Sequence, residues 1–310
     1  MKKSSIRDYV LIARPSHWIK NLFILPGFMA AQIFEPSWTK ITLNNLAVAI
    51  FSTCLIASAN YVINEWFDRK NDAFHPSKKN RPSVSGRITR NEIISIYFIL
   101  TLSGLLTSSI VSVNLMVVEL FLLFMGWLYN IPPFRLKDKA YLDVISESIN
   151  NPIRLFVGWV CVIDSSIPPL SLIIGYWLGG AFLMNVKRYA ELRSLHSREI
   201  AAKYRKSFGF YTEAKLLSAS FFYAIMSFFF IAIFMIRYQS EYLLVTPLLA
   251  YLYVFYFNLG MQDDSIAQKP ERLYREKRLF ILIGLIVVLF FTFSLIEIPY
   301  IEELIIPRAK

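Results

Sequence analysis

The chain has 310 residues, 55% of them hydrophobic and only 18% charged, which is too apolar for an ordinary soluble domain and suits a polytopic membrane protein. Its formal charge of +11 does not mark a nucleic-acid binder. The basic residues lie between apolar runs, and neither a basic tail nor zinc-finger spacing is present, which excludes that partner.

The N-terminus carries Lys2 and Lys3 but no uninterrupted apolar core before Arg14, so a cleavable signal peptide is not expected. Runs of roughly 20 apolar residues can cross a bilayer. In chain order they are Trp18 to Phe34, broken by Pro26; Leu43 to Ile63; Ile93 to Val113; Leu115 to Ile131; Val144 to Ile163, which carries polar residues; Pro168 to Val186; Leu216 to Ile236; Leu243 to Leu259; and Leu279 to Ile298. The expected fold is therefore an all-α polytopic membrane bundle of about nine transmembrane helices, a single integral-membrane domain over 1–310.

Loop charge supports this count, because cytoplasmic loops retain Lys and Arg. The N-terminal segment and the loops after the second, fourth, sixth and eighth spans hold 28 of the 33 basic residues. The N-terminus is thus expected in the cytoplasm and the C-terminus outside. Cys54 and Cys161 fall inside apolar runs as small hydrophobes, with no disulfide or zinc pattern. The longest polar stretches, Asp68 to Arg90 and Lys187 to Lys215, have the length of functional loops.

The stretch NEWFDRKNDAFHPSKKNRP, Asn64 to Pro82, follows directly on the second span. Asn64, Asp68 and Asp72 stand four residues apart, so on a continued helix they line one side. Oxygen ligands so spaced can share one hard cation, and Mg²⁺ completes its shell with water and substrate phosphates. Lys78, Lys79 and Arg81 follow, and His75 sits among them as a possible substrate contact. Carboxylates for a metal and cations for phosphates are what a metal-bound diphosphate requires.

Two further clusters are expected on the same side. Asp143, Glu147, Asn150 and Arg154 fall at i, i+4, i+7 and i+11 of the fifth span, within about 60° of one helix face. Ionisable groups there face a wet cavity or one another. KRYAE, Lys187 to Glu191, ends the sixth span, and YRKS, Tyr204 to Ser207, follows with Tyr211. Lys and Arg in such positions meet phosphate groups or anchor the chain at the membrane surface.

The row Asn64, Asp68, Asp72 resembles the aspartate-rich signature of the UbiA superfamily of intramembrane prenyltransferases, with Glu65 standing where that family more often has Asp. Tyr129, Arg135 and Asp143 resemble its second acidic segment, although Glu147 stands in for the second Asp. The segments RPSHWIKN (Arg14 to Asn21), HPSKKNRP (His75 to Pro82), KRYAELR (Lys187 to Arg193), YRKSF with Tyr211, and PERLYREKR (Pro270 to Arg278) resemble the decaprenyl-phosphate phosphoribosyltransferase branch.

That resemblance implies a cytoplasm-facing polar cavity in a bacterial inner (plasma) membrane protein, Mg²⁺, phosphoribosyl diphosphate as donor and a polyprenyl phosphate as acceptor. Asn64, Asp68 and Asp72 would hold the metal. Asp68, Asp72 and Asp143 would be catalytic. Lys20, Asn21, Lys78, Arg81, Tyr129, Arg154, Lys187, Arg188, Tyr189, Glu191, Arg205 and Lys206 would bind substrates. The rivals are a UbiA-type transfer from a prenyl diphosphate to a small acceptor, and a lipid transporter without chemistry. Oligomeric state is left open.

Overall fold

A computed structural model describes residues 4–73, 78–195, 198–263, 265–268, 273 and 275–298. Among them the helices in chain order are α1 (Ile6–Ala13), α2 (Leu25–Phe34), α3 (Lys40–Asp72), α4 (Arg90–Ser109), α5 (Val113–Asn130), α6 (Leu142–Ser148), α7 (Asn150–Val160), α8 (Leu170–Ser194), α9 (Arg198–Tyr204), α10 (Glu213–Tyr238), α11 (Thr246–Met261) and α12 (Lys277–Leu295). The protein is an all-α membrane helix bundle. Among the described residues seven helical stretches are long and apolar enough to cross a membrane: α3, α4, α5, α8, α10, Ser240–Met261 and α12.

The other two expected spans are each in pieces, and the count of nine stays an expectation. The first is a 3₁₀ segment, Pro15–Ile24, followed by α2. Pro26 sits in the opening turn of α2, where its missing N–H costs nothing. The fifth divides at Ile149 into α6 and α7. Pro152, in the first turn of α7, has no N–H for the Ser148 carbonyl, so one straight helix is not continued through this point. The shared face expected for Asp143, Glu147, Asn150 and Arg154 is divided between two helices.

The chain forms two compact units. One comprises Met1–Pro168 with Leu195–Thr212, the other Pro169–Ser194 with Glu213–Lys310. In the first, α3 is the central element. Thr39 and Thr42 close a capping box at its start, as Thr89 and Glu92 do for α4 and Ser5 and Asp8 for α1. Its 33 residues give a length of about 50 Å, against a hydrocarbon core of about 30 Å. The excess is long enough for the polar turns with Asp68 and Asp72 to stand beyond such a layer.

Small residues set the close crossings, as expected where lipid supplies no hydrophobic drive between helices. A Cβ on Gly27 of α2 would sit on the Leu155 carbonyl of α7, and one on Gly158 on the Ile24 carbonyl. Deep in the same unit Glu119 of α5 is fully buried and accepts hydrogen bonds from Thr53 (2.5 Å) and Ser52 (3.2 Å) of α3. In the second unit Gly175 of α8 packs on Ile231 of α10, where Ser227 donates to the Gly175 carbonyl at 2.7 Å. Asn185 of α8 donates to the Leu216 carbonyl and to Ser220, at 2.5 and 2.8 Å.

Candidate active site

The C-terminal turns of α3 present two faces, each with its own partners. Asn64, Asp68 and Asp72 form the row expected from their spacing. Asn64 donates its amide to Asn130 Oδ1 of α5 at 2.5 Å. Asp68 is paired with Arg135 at 2.8 Å and with Lys137 at 2.5 Å. Asp72 is paired with Arg81, and Lys78 also acts on it electrostatically. Lys78 in turn meets the hydroxyl and the ring face of Tyr204.

Glu65 lies one residue beyond Asn64, about 100° further round the helix, and its carboxylate takes a different direction. One oxygen receives Arg14 at 2.8 Å, and the other accepts the Ser83 backbone N–H at 3.2 Å and its hydroxyl at 3.0 Å. Glu65 is 1% exposed, so it is a buried staple holding the N-terminal segment and the loop after Arg81 to α3. On this side Arg14 and Lys20 stand over the Tyr61 ring at 5.7 and 5.9 Å, and His17 meets its edge. Asn21 donates to Cys54 at 3.1 Å and accepts from Arg154 Nε at 2.9 Å, while Arg154 also donates to the Asn150 carbonyl.

The segment between α5 and α6 supplies the cations of Asp68. Arg135 also bonds Asp138 at 3.1 Å, and Lys206 reaches Asp138 at 3.6 Å from an exposed position. Lys137 lies in a 3₁₀ turn and is 3% exposed. Burial pushes its ammonium down to about 8 against the pull of Asp68, with Arg135 adding to the fall. Sequence reasoning did not single out Lys137; its one signal was a Lys two residues after Arg135 in a short loop between apolar runs. Tyr129 links the halves of the cluster, with Lys137 over its ring at 5.8 Å and Arg205 donating to its hydroxyl at 3.3 Å.

Asp143 is fully buried at the start of α6. It accepts from Tyr211 at 2.6 Å and Ser207 at 3.1 Å, and lies 3.7 Å from Arg205. Glu147 is half-buried on the same short helix. Three residues other than glycine have positive φ among the described residues: Arg14 (51°), Arg135 (33°) and Tyr141 (64°). Arg135 and Tyr141 belong to this cluster and Arg14 to the Glu65 side of α3, and such backbone strain persists only where the surroundings hold it.

Lys187, Arg188, Tyr189 and Glu191 belong to the second unit, on the last turns of α8. Arg188 is buried and bonds Glu191 at 2.8 Å, Tyr189 donates to Glu213 at 3.3 Å, and Lys187 is half-buried. Arg193 lies over the Tyr189 ring and reaches Asp263 at 3.4 Å. His75, His196 and the first residues of the PERLYREKR segment lie outside the described residues.

Among the described residues, the ion pairs and charge contacts that run through Asp68 and Asp72 join six cations, Lys78, Arg81, Arg135, Lys137, Arg205 and Lys206, to four carboxylates, Asp68, Asp72, Asp138 and Asp143, with Glu147 half-buried nearby on α6 as a fifth acid. The surplus is positive, so the cluster suits an anionic ligand. Among the described residues no three His, Cys, Asp or Glu side chains make a ready metal cage. Mg²⁺ does not need one, since one or two carboxylates suffice when phosphates complete its shell. The donors offered by Asn64, Asp68 and Asp72 are oxygens, which fit that ion.

A family model described as the UbiA prenyltransferase family matches residues 21–284. The chain is 31% identical over 216 residues to a decaprenyl-phosphate phosphoribosyltransferase of Mycolicibacterium smegmatis, covering 69% of this chain and 65% of that protein. It thus spans just under two thirds of that relative's length. A protein of the same description from Mycobacterium tuberculosis is 28% identical over 212 residues, 68% of each chain. A solved structure of a UbiA homolog from Archaeoglobus fulgidus bound to GPP and Mg²⁺ superposes with a TM-score of 0.70 at 16% identity, over 93% of this chain and 100% of that one.

Proposed function

The chain belongs to the UbiA prenyltransferase family, and from that premise we propose that it transfers a 5-phosphoribosyl group from phosphoribosyl diphosphate to a polyprenyl phosphate. An acceptor phosphate oxygen forms a bond to the ribose anomeric carbon, and the bond from that carbon to the diphosphate breaks with its electron pair leaving on the diphosphate. The observation that carries the reading is the surplus of cations over carboxylates around Asp68 and Asp72. A ribose donor brings a 5-phosphate as well as a diphosphate, whereas a prenyl diphosphate has one anionic end. The descriptions of the mycobacterial relatives, which name a phosphoribosyl group and a decaprenyl phosphate, support the transferred group and the class of acceptor.

Mg²⁺, held by Asp68 and Asp72 with Asn64, would neutralise the diphosphate and ease its departure. The resident ion pairs suit such a site. Arg81, Arg135 and Lys137 balance Asp68 and Asp72, and if Mg²⁺ were held by those carboxylates the same cations would be at hand for the substrate phosphates, leaving no buried charge unpaired. Arg forks and Lys point charges are the usual partners of phosphate. The acceptor is already an anion, so the step asks mainly for positioning and electrostatic stabilisation. The site is read as cytoplasmic, from the loop-charge alternation.

The test is to incubate membranes containing the protein with Mg²⁺, phosphoribosyl diphosphate and polyprenyl phosphate, and to look for a lipid-linked pentose phosphate and free diphosphate. Consumption of a prenyl diphosphate with a small aromatic acceptor, and not of phosphoribosyl diphosphate, would overturn the reading in favour of prenyl transfer.

A further inference from the structure

We infer that Asp143 and Tyr211 form a clamp that positions Arg205 beside Tyr129, and that Asp143 acts through this clamp rather than as a metal ligand. The inference deepens the reading above and rests on it for the identity of the donor. Both oxygens of Asp143 already have donors facing them: Tyr211 on Oδ1 at 2.6 Å, and Ser207 on Oδ2 at 3.1 Å with Arg205 3.7 Å away. A nearby cation does not by itself set Asp143 apart, since Asp68 also carries two; the difference is that a metal ion at Asp143 would have to displace the hydroxyls of Tyr211 and Ser207, which tie it to the loop. Burial alone does not separate the two groups, since Asp143 is fully buried, Asp72 is 3% exposed and Asp68 is partly accessible; the hydroxyl donors on both oxygens of Asp143 do.

The three partners come from one short segment. Arg205, Ser207 and Tyr211 flank or lie in the 3₁₀ turn Lys206–Gly209, which is closed by hydrogen bonds from Phe208 N–H to the Arg205 carbonyl and from Tyr211 N–H to the Ser207 carbonyl. One carboxylate therefore fixes a whole loop at its beginning, middle and end.

The second half of the clamp is Tyr141. Its φ of 64° is a conformation that side-chain-bearing residues rarely adopt. Its backbone N–H donates to the Tyr211 hydroxyl at 2.6 Å, and its ring packs edge-on against Tyr211 and Phe210 at 5.6 and 5.8 Å. The Tyr211 hydroxyl accepts from Tyr141 and donates to Asp143, so a single phenol joins the start of α6 to the loop. What the clamp delivers is Arg205, whose guanidinium donates to Tyr129 at 3.3 Å and acts electrostatically on Asp68 and Lys137.

The experiment compares Asp143→Asn, Tyr211→Phe, Arg205→Ala and the double variant Tyr211→Phe with Arg205→Ala, with Asp68→Asn as the reference for loss of a metal ligand. Asp143→Asn keeps an oxygen for Tyr211 and is expected to retain at least about a fifth of wild-type kcat, with its Mg²⁺ requirement moved by less than about twofold. Tyr211→Phe is expected to raise the KM for phosphoribosyl diphosphate about five- to twentyfold while kcat moves by less than about threefold. In the Arg205→Ala background the same change should add less than about twofold, because the two act as a unit.

Loss of more than about 99% of activity in Asp143→Asn, together with a raised Mg²⁺ requirement, would make Asp143 a ligand and overturn the clamp. Independent, multiplying effects of Tyr211→Phe and Arg205→Ala would overturn it equally. Should Asp143→Asn fail to fold in detergent, the Tyr211 and Arg205 cycle decides alone. If wild type turns over a prenyl diphosphate instead, the donor reading fails, and the cycle measured with that donor still tests the clamp.

Discussion

Lys137 Nζ stands 2.5 Å from the Asp68 carboxylate and 2.8 Å from Asn130 Oδ1, the same oxygen that accepts the amide of Asn64. The metal row proposed on α3 is thus oriented from behind by α5 and the turn after it. Lys137→Ala removes a buried charged donor from both acceptors. It is expected to lower stability by about 1.5–3 kcal/mol, the scale of a hydrogen bond to a charged group, measured as denaturant unfolding of the detergent-purified protein.

Asp68→Asn and Asp72→Asn change charge without changing shape. Each is expected to abolish turnover in the membrane assay while the protein stays folded. Retention of more than about a tenth of wild-type activity at saturating Mg²⁺, a barrier change below about 1.4 kcal/mol, would remove the metal assignment.

Glu65 separates a staple from a ligand. Glu65→Ala leaves Arg14 and Ser83 without their shared acceptor and is expected to cost about 3 kcal/mol of stability, as when one partner of a buried pair is removed. The Mg²⁺ dependence of the remaining activity should not move. A shifted Mg²⁺ titration with unchanged stability would place Glu65 among the ligands.

On α8 the neighbours Lys187 and Arg188 should behave differently, because Arg188 is buried against Glu191 and Lys187 is half-buried. Lys187→Ala is expected to weaken binding of phosphoribosyl diphosphate by about 1.5–3 kcal/mol with polyprenyl phosphate affected less, as read by separate titrations. Arg188→Ala should in addition lower the melting temperature. Equal loss of both ligands in Lys187→Ala, without a change in melting, would contradict a donor-specific role.

Sidedness is measurable with little background, since Cys54 and Cys161 are both buried. Single cysteines at Lys206 and Ser165, both exposed, are expected to react with an impermeant thiol reagent from the cytoplasmic and the opposite face respectively. Labelling of both from one side would contradict the orientation.

Most of the helices were legible from hydropathy because apolar length is all a membrane span requires, and α3 running on through Asp72 was legible from the four-residue spacing of its polar row. Glu65 was partly legible: a residue adjacent to Asn64 must point to another face, although nothing in the string names Arg14 and Ser83 as its partners. The divisions of the first and fifth spans depend on how Pro26 and Pro152 fall within helical turns, which a count of apolar residues does not register. The grip of Tyr211 on Asp143 was not legible at all, since it depends on a positive φ at Tyr141 that no residue type announces.

Glu119 bears on how the chain is made. An α5 entering the bilayer alone would carry an acid near its middle at a cost of about 3 kcal/mol. The hydroxyls that receive it, Ser52 and Thr53, lie on α3, which is synthesised and inserted earlier. α5 therefore gains stability in the membrane once it can lean on α3, with α4 as the returning arm between them. The order of insertion is written into the packing, and loss of Ser52 and Thr53 together would first be seen as a shortage of integrated protein, before any defect in its chemistry.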